Sequence, residues 1–241
     1  MVPPIGQQRV CITGAAQGLG AAIARAFAAE GAELVLMDVD AGGLDALNAT
    51  LGGVATTIRA DLSDLDSCQQ AIRQMTSAGP VDTLIHNAAV LRPEPFEAVT
   101  LETYLATVNV GLQAGFLLAQ AVWTDMKARG GALVFVSSQS GIKGFAGETA
   151  YCAAKHALEG LSKSLALEGA AEGIVSCTIT PGKAMRTPMS ERNYPPELKA
   201  QWVEPDRLAP AFLTIAGTRD PAFNGQRLNA WELSNQKETA R

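Results

Sequence analysis

The chain has 241 residues, 47% of them hydrophobic and 18% charged, with a formal net charge of −5. It is long enough to bury a substantial core, and the absence of any block of Lys and Arg leaves no electrostatic footprint for nucleic acid or an anionic membrane surface. Cys11, Cys68, Cys152 and Cys177 are far apart and lack the close pairing of a zinc or redox motif, so they read as buried reduced thiols and no metal site is expected.

The opening "MVPPIGQQRV" lacks a basic segment followed by an apolar core, and no apolar run approaches the roughly 20 residues of a membrane span. A cytoplasmic protein with a small-molecule partner is expected. In chain order, short apolar runs rich in β-branched residues recur: "RVCIT", "AELVLMD", "ATTIRAD", "VDTLIHN", "GALVFVSS" and "GIVSCTITP". Helical spacing fills the stretches between them, as with Leu19, Ile23, Ala26 and Phe27, and the longest helices are expected near 101–129 and 149–170. Strands that are apolar almost throughout suit a parallel sheet covered on both faces. The chain is therefore expected to be a single α/β domain, a doubly wound parallel sheet flanked by helices.

In such a sheet the ligand sits outside the carboxyl ends of the strands, beside the first strand-to-helix turn. "TGAAQGLG", Thr13 to Gly20, occupies that turn. Gly14 can make the tight turn, Gly18 lets backbone approach a pyrophosphate, and Gly20 allows close helix packing, while the helix N-terminus offers N–H groups and positive dipole. Asp38 closes the second strand 18 positions after Gly20, where a carboxylate can hydrogen-bond both hydroxyls of an adenosine ribose. A 2′-phosphate about 4 Å from it would meet a repulsion of roughly 4 kcal/mol at an effective dielectric near 20, less where water screens it. Ala15, Ala16, Gln17 and Val39 supply no cation to reward that phosphate, so NAD is expected over NADP.

Farther along, "SSQSGIKGFAGETAYCAAKHALEGL" places Tyr151 and Lys155 four apart, on one helical face. A lysine ammonium and a positive nicotinamide ring stabilise phenolate, so Tyr151 can take the proton of a substrate hydroxyl while hydride leaves the same carbon for NAD⁺. At these residues the sequence resembles the compact single-domain branch of the short-chain dehydrogenase/reductase family, from about Arg9 to about Met189. "TGAAQGLG" matches the family's glycine pattern at every fixed position. Ser138 stands thirteen residues before Tyr151, as the family's active-site pattern requires, and "HNAA" stands where relatives carry "NNAG", with Asn87 matching and His86 and Ala89 departing.

The resemblance implies a tetrad of Asn109, Ser138, Tyr151 and Lys155. Tyr151 is its general acid or base, Lys155 grips the nicotinamide ribose, Ser138 steadies the reacting oxygen, and Asn109, interrupting a long helix, holds a water. It further implies cofactor contacts from Gly14, Gln17, Gly18, Leu19, Gly20, Asp38, Asp61, Leu62, Asn87, Ala88, Tyr151, Lys155, Pro181, Gly182 and Thr187. Thr187 stands one position later than the family's threonine after Pro-Gly. The proline-rich segment around 186–205 stands where relatives place a lid and is expected to be small. A homodimer or homotetramer is implied, although "NGQRLNAWELSNQKETAR" lacks the Gly-Gly that many relatives carry after the last strand.

These features fit an NAD-dependent alcohol dehydrogenase or carbonyl reductase acting on a secondary alcohol or ketone. Gln139, Ser140, Lys143 and Glu148 suit a hydroxylated substrate, whereas Met185, Met189, Tyr194 and Trp202 suit an aromatic or alicyclic one. A binding module of the same fold that senses NAD(H) without chemistry is the alternative, and the intact tetrad counts against it. His86, within an apolar strand end, is expected to be a packed imidazole, and His156 follows Lys155 on the helix and so points about 100° away from it; neither is expected to be catalytic.

Overall fold

The computed structural model describes residues 1–235, so the end of the C-terminal tail lies outside the described residues. Seven parallel strands form one sheet in the order β3-β2-β1-β4-β5-β6-β7. They are β1 (Arg9–Thr13), β2 (Glu33–Asp38), β3 (Thr56–Arg59), β4 (Thr83–His86), β5 (Gly131–Val136), β6 (Ile174–Thr180) and β7 (Arg227–Asn229). The six apolar runs of the sequence are the first six strands. The seventh is three residues long and only half buried, so no apolar run announces it.

Helices cover both faces. They are α1 (Gly18–Ala29), α2 (Ala41–Thr50), α3 (Leu65–Ser77), α4 (Leu101–Val108), α5 (Ala114–Arg129), α6 (Thr149–Gly169), α7 (Pro188–Asn193), α8 (Ala209–Thr218) and α9 (Ala230–Asn235). Successive strand residues point to opposite faces, and the core divides accordingly. Val10 and Ile12 of β1 join Ile23 and Phe27 of α1 and Phe212 and Ile215 of α8. Cys11 joins Met75 of α3, Leu118 and Val122 of α5 and Leu158 of α6. All four cysteines are free and buried.

The stretch Leu101–Arg129 is 29 residues long with a hydropathy of 1.4, apolar and long enough to cross a membrane by length and composition, contrary to the sequence expectation. Its apolarity serves the core instead: Leu118, Ala119, Val122 and Met126 lie fully inside against the sheet. A π-helical turn, Asn109–Gln113, separates α4 from α5, so the long helix is interrupted at Asn109 as expected.

Candidate active site

The carboxyl ends of β1, β4, β5 and β6 open on a cleft of about 910 Å³. It lies where the strand order reverses between β1 and β4, the place where open α/β sheets bind ligands. Every catalytic or cofactor residue named from the sequence lines this cleft except Gly20 and Asn109.

The glycine loop is shaped by close approach. Gly14 and Gly18 adopt φ of 63° and 57°, in the left-handed region that favours glycine. A Cβ on Gly14 would lie 2.9 Å from Ala88 Cα, and one on Gly20 would lie 2.0 Å from the Gly14 carbonyl oxygen. Asn87 clamps the turn by donating from Nδ2 to the carbonyls of Thr13 and Gly14, at 3.1 and 2.9 Å. Gln17 precedes α1 without a side-chain capping bond, so the first N–H groups of the helix stay open to an anion. Asp38 is aimed from the end of β2 by two backbone donors, Ala16 N and Asp40 N, each at 3.0 Å. A cradle that tolerates no side chain, an uncapped helix start and a fixed carboxylate together fit a dinucleotide.

Tyr151 and Lys155 rise from the first turns of α6. Lys155 Nζ lies 5.5 Å from the Tyr151 ring centroid and donates to the Val136 carbonyl at 2.7 Å. Burial lowers the Lys155 ammonium to about 8, and the Glu159 carboxylate pulls it back up. Burial pushes the Tyr151 phenol upward, Tyr194 and Glu148 push the same way, and a hydrogen bond from Ser138 works against them. In the protein alone the phenol therefore stands above its ordinary value, where the spacing alone suggested a lysine-lowered one. Desolvation is the largest cause and outweighs the Ser138 bond, and Lys155 spends a proton on Val136.

Beyond Tyr151 the cleft wall mixes polar and apolar side chains. Glu148, 8% exposed, accepts from Ser140 Oγ at 2.8 Å, and Gln139, Met185, Met189 and Tyr194 share the lining, whereas Lys143 and Trp202 do not. Lys143 turns outward, exposed to solvent, and the Trp202 ring lies under Lys199 Nζ at 5.8 Å.

Two residues named from the sequence have bonding partners of their own. Asn109 does not reach the cleft with its side chain, because its Nδ2 donates to the Ser63 carbonyl at 3.0 Å and ties the π-helical turn to the loop after β3. Thr187 leans on the glycine loop, since a Cβ on Gly18 would lie 3.2 Å from its Cγ2. Its hydroxyl is occupied in capping α7, accepting from Ser190 N at 3.1 Å. Gly182 is pressed against Asn229 of β7, onto whose side chain a Cβ would fall.

His86 is wholly buried at the end of β4. Thr13 Oγ1 accepts from Asn87 N and Ala88 N, both at 3.1 Å, so its one proton goes to His86 Nδ1 at 3.0 Å. The imidazole is thus neutral with its hydrogen on Nε2, facing the backbone of Val110 and Gly111. Burial first, and then Lys155, lower its pKa from 6.5 to about 4. A depressed folded-state value makes its stabilisation complete above pH 6.5 and lost as pH falls towards 4. By linkage about 2 kcal/mol is lost between pH 7 and 5. His86→Asn is expected to flatten the acid side of the stability curve by about that amount, measured by urea unfolding at both pH values; an unchanged difference between them would refute it.

Comparison with known proteins agrees with this architecture. The family model described as short chain dehydrogenase matches residues 8–197. D-threitol dehydrogenase of Mycolicibacterium smegmatis is 34% identical over 230 residues, covering 90% of this chain and 88% of that one. L-xylulose reductase of Mesocricetus auratus is 37% identical over 196 residues, covering 80% and 78%. A blue fluorescent protein from a metagenomic library, solved in complex with NADPH, superposes with a TM-score of 0.85 at 31% identity, covering 94% of this chain and 97% of that one. The chain belongs to the short-chain dehydrogenase family. It is an oxidoreductase of that family, with a site for a nicotinamide cofactor.

Proposed function

We propose that the protein is an NAD-dependent dehydrogenase of small polyols, or in reverse a reductase of the corresponding ketoses. The observation that carries the substrate class is the buried Glu148 carboxylate, bonded to Ser140 and set beside Tyr151. A carboxylate is acceptor-only, so it rewards a substrate rich in hydroxyl donors and repels an anionic one. The names of the two relatives, a threitol dehydrogenase and a xylulose reductase, point to the same chemistry.

In this reading Ser138 hydrogen-bonds the reacting oxygen, Tyr151 takes the hydroxyl proton, and Lys155 holds the nicotinamide ribose. When bound, the cofactor supplies the hydride acceptor and, in its oxidised form, a positive ring that favours phenolate. Asp38 receives the adenosine ribose hydroxyls, while Asp61, Leu62 and Ala88 frame the adenine side of the cleft. Arg59, the register partner of Asp38 on β3, is not part of the cleft lining and leaves that charge uncompensated there.

The segment 186–205 acts as a short lid. Its ends are stapled by backbone bonds from Arg186 N to Val203 O and from Val203 N to Ala184 O, both 2.9 Å, so closure is confined to the part around α7. Self-association uses the exposed apolar side chains Leu101 and Leu105 of α4 and Phe116 of α5; the mass in solution tests this.

The deciding experiment follows NADH or NADPH formation over a panel of tetritols, pentitols, hexitols, hydroxy acids and aromatic alcohols. Turnover of a polyol with NAD⁺ is expected. Turnover of only hydroxy acids or aromatic alcohols would overturn the substrate class. Asp38→Asn keeps the bond from Ala16 N but removes the charge, and is expected to narrow the preference for NAD⁺ over NADP⁺ by about five- to tenfold; an unmoved preference would overturn the role given to Asp38.

A further inference from the structure

Three consecutive residues at the end of β5 are each held by a different partner. The Val136 carbonyl accepts from Lys155 Nζ at 2.7 Å. Ser137 Oγ donates to Glu159 Oε1. The Ser138 carbonyl accepts from Arg227 Nη2 at 2.9 Å. The last two holds meet, because Arg227 Nε also donates to Glu159 Oε1 at 3.2 Å, and Thr178 Oγ1 on β6 donates to Glu159 Oε2 at 2.7 Å. One carboxylate thus joins α6, β5, β6 and β7 beneath the site. Its side chain is 9% exposed and that of Arg227 22%, so the pair lies largely out of water, where removing one partner leaves the other charge uncompensated. Gly141 makes room for the bond, since a Cβ there would lie 2.6 Å from Ser137 Oγ and 3.1 Å from Glu159 Oε1.

We propose that Glu159 and Arg227 form a strut that fixes Ser138 and sets the charge surroundings of Lys155, making both of them positioning residues for the reaction proposed above. Glu159 stands one helical turn beyond Lys155 on α6, as Lys155 stands one turn beyond Tyr151, so the carboxylate acts on the ammonium along the helix as well as on the strand end. Arg227 holds the backbone of Ser138 and at the same time offsets part of the Glu159 charge. The other titratable groups near Lys155 are Tyr151 on the same helix and His86 on β4, which is neutral. Glu148 and Tyr194 act on Tyr151 from the substrate side.

The two halves of the strut make opposite predictions. Glu159→Gln removes the negative charge and is expected to move the titration of Lys155 down by about one pH unit. Arg227→Met removes the cation that offsets it and is expected to move the titration up, while loosening Ser138 and lowering kcat about tenfold at unchanged NADH affinity, the loss expected when a contact made in the transition state is weakened by about 1.4 kcal/mol. The Nζ signal of Lys155 in 15N-lysine-labelled protein, assigned with Lys155→Arg, reads the first effect without any substrate, so it stands apart from whether the proposed reaction is right. The alkaline limb of kcat/KM reads it again during turnover, and NADH fluorescence reads binding. Shifts of opposite sign in the two variants support the strut. Shifts of the same sign, or the absence of a shift in one or both variants, overturn it, because a merely structural pair would lower the unfolding midpoint without moving Lys155. If Glu159→Gln does not fold, the sign of the Arg227→Met shift decides alone.

Discussion

Tyr151→Phe is expected to lower turnover by about 10²- to 10⁴-fold, the usual contribution of a positioned acid or base, while NADH binds with unchanged affinity. The substitution removes one oxygen from a half-buried side chain whose ring lies 5.5 Å from Lys155 Nζ, so the walls of the cleft keep their shape. The glycine loop and Asp38 lie on other elements, and Lys155, which holds the nicotinamide ribose in the proposed reaction, is left in place. The pH profile separates this from a general disturbance. In the oxidative direction the wild-type rate should climb with pH as the phenol loses its proton, because burial, Tyr194 and Glu148 all hold it above its ordinary value. The variant has no phenol and should lose that climb. Stopped-flow NADH formation at several pH values, with fluorescence titration for binding, makes the measurement. Turnover within about threefold of wild type would remove Tyr151 from the reaction, since even a modest general base contributes more than that.

The parts of the fold legible in the sequence are those set by local pattern. Strands buried on both faces read as unbroken apolar runs, as β1, β2, β4, β5 and β6 do, whereas the largely exposed edge strand β3 shows through its β-branched residues. β7 escaped because Arg227–Asn229 is held by pairing to β6 and carries no apolar run of its own. The glycine loop and Asp38 were legible because backbone that approaches other backbone must be glycine, and because a strand end fixes where its last side chain emerges. Solvation was not legible. The spacing of Tyr151 and Lys155 gives their proximity, yet whether lysine lowers the phenol depends on how dry the site is, and that follows from the packing of α6 against β5. Asn109 shows the same limit: the interruption of the helix was expected, whereas the destination of its side chain, Ser63, lies on a loop 46 residues away. Glu159 carries no pattern of its own on α6, and its partner Arg227 is 68 residues further on, in the strand that no apolar run marks.

Gly20→Ala is expected to cost about 2 to 4 kcal/mol of stability and to weaken NADH binding at least tenfold, magnitudes typical of forcing an atom into packed backbone beside a binding loop. The new methyl carbon would lie 2.0 Å from the Gly14 carbonyl oxygen, 2.8 Å from Gly14 C and 2.8 Å from Asn87 Nδ2, so two of its three close neighbours are backbone and cannot rotate away. Gly14 has little freedom to retreat, because Asn87 holds both its carbonyl and that of Thr13, and its own Cα faces Ala88. Relief must come from tilting α1 or lifting the loop, and either movement carries the open N–H groups at the helix start away from where a pyrophosphate would lie. Gly160→Ala in α6 provides the contrast, since nothing lies within 4 Å of its added Cβ. There the usual helix preference for alanine should prevail, raising stability by up to about 1 kcal/mol with NADH binding unchanged. Opposite signs for these two substitutions in urea unfolding would tie the loss at Gly20 to the collision with Gly14; equal effects would show that the loop yields more easily than its hydrogen bonds indicate.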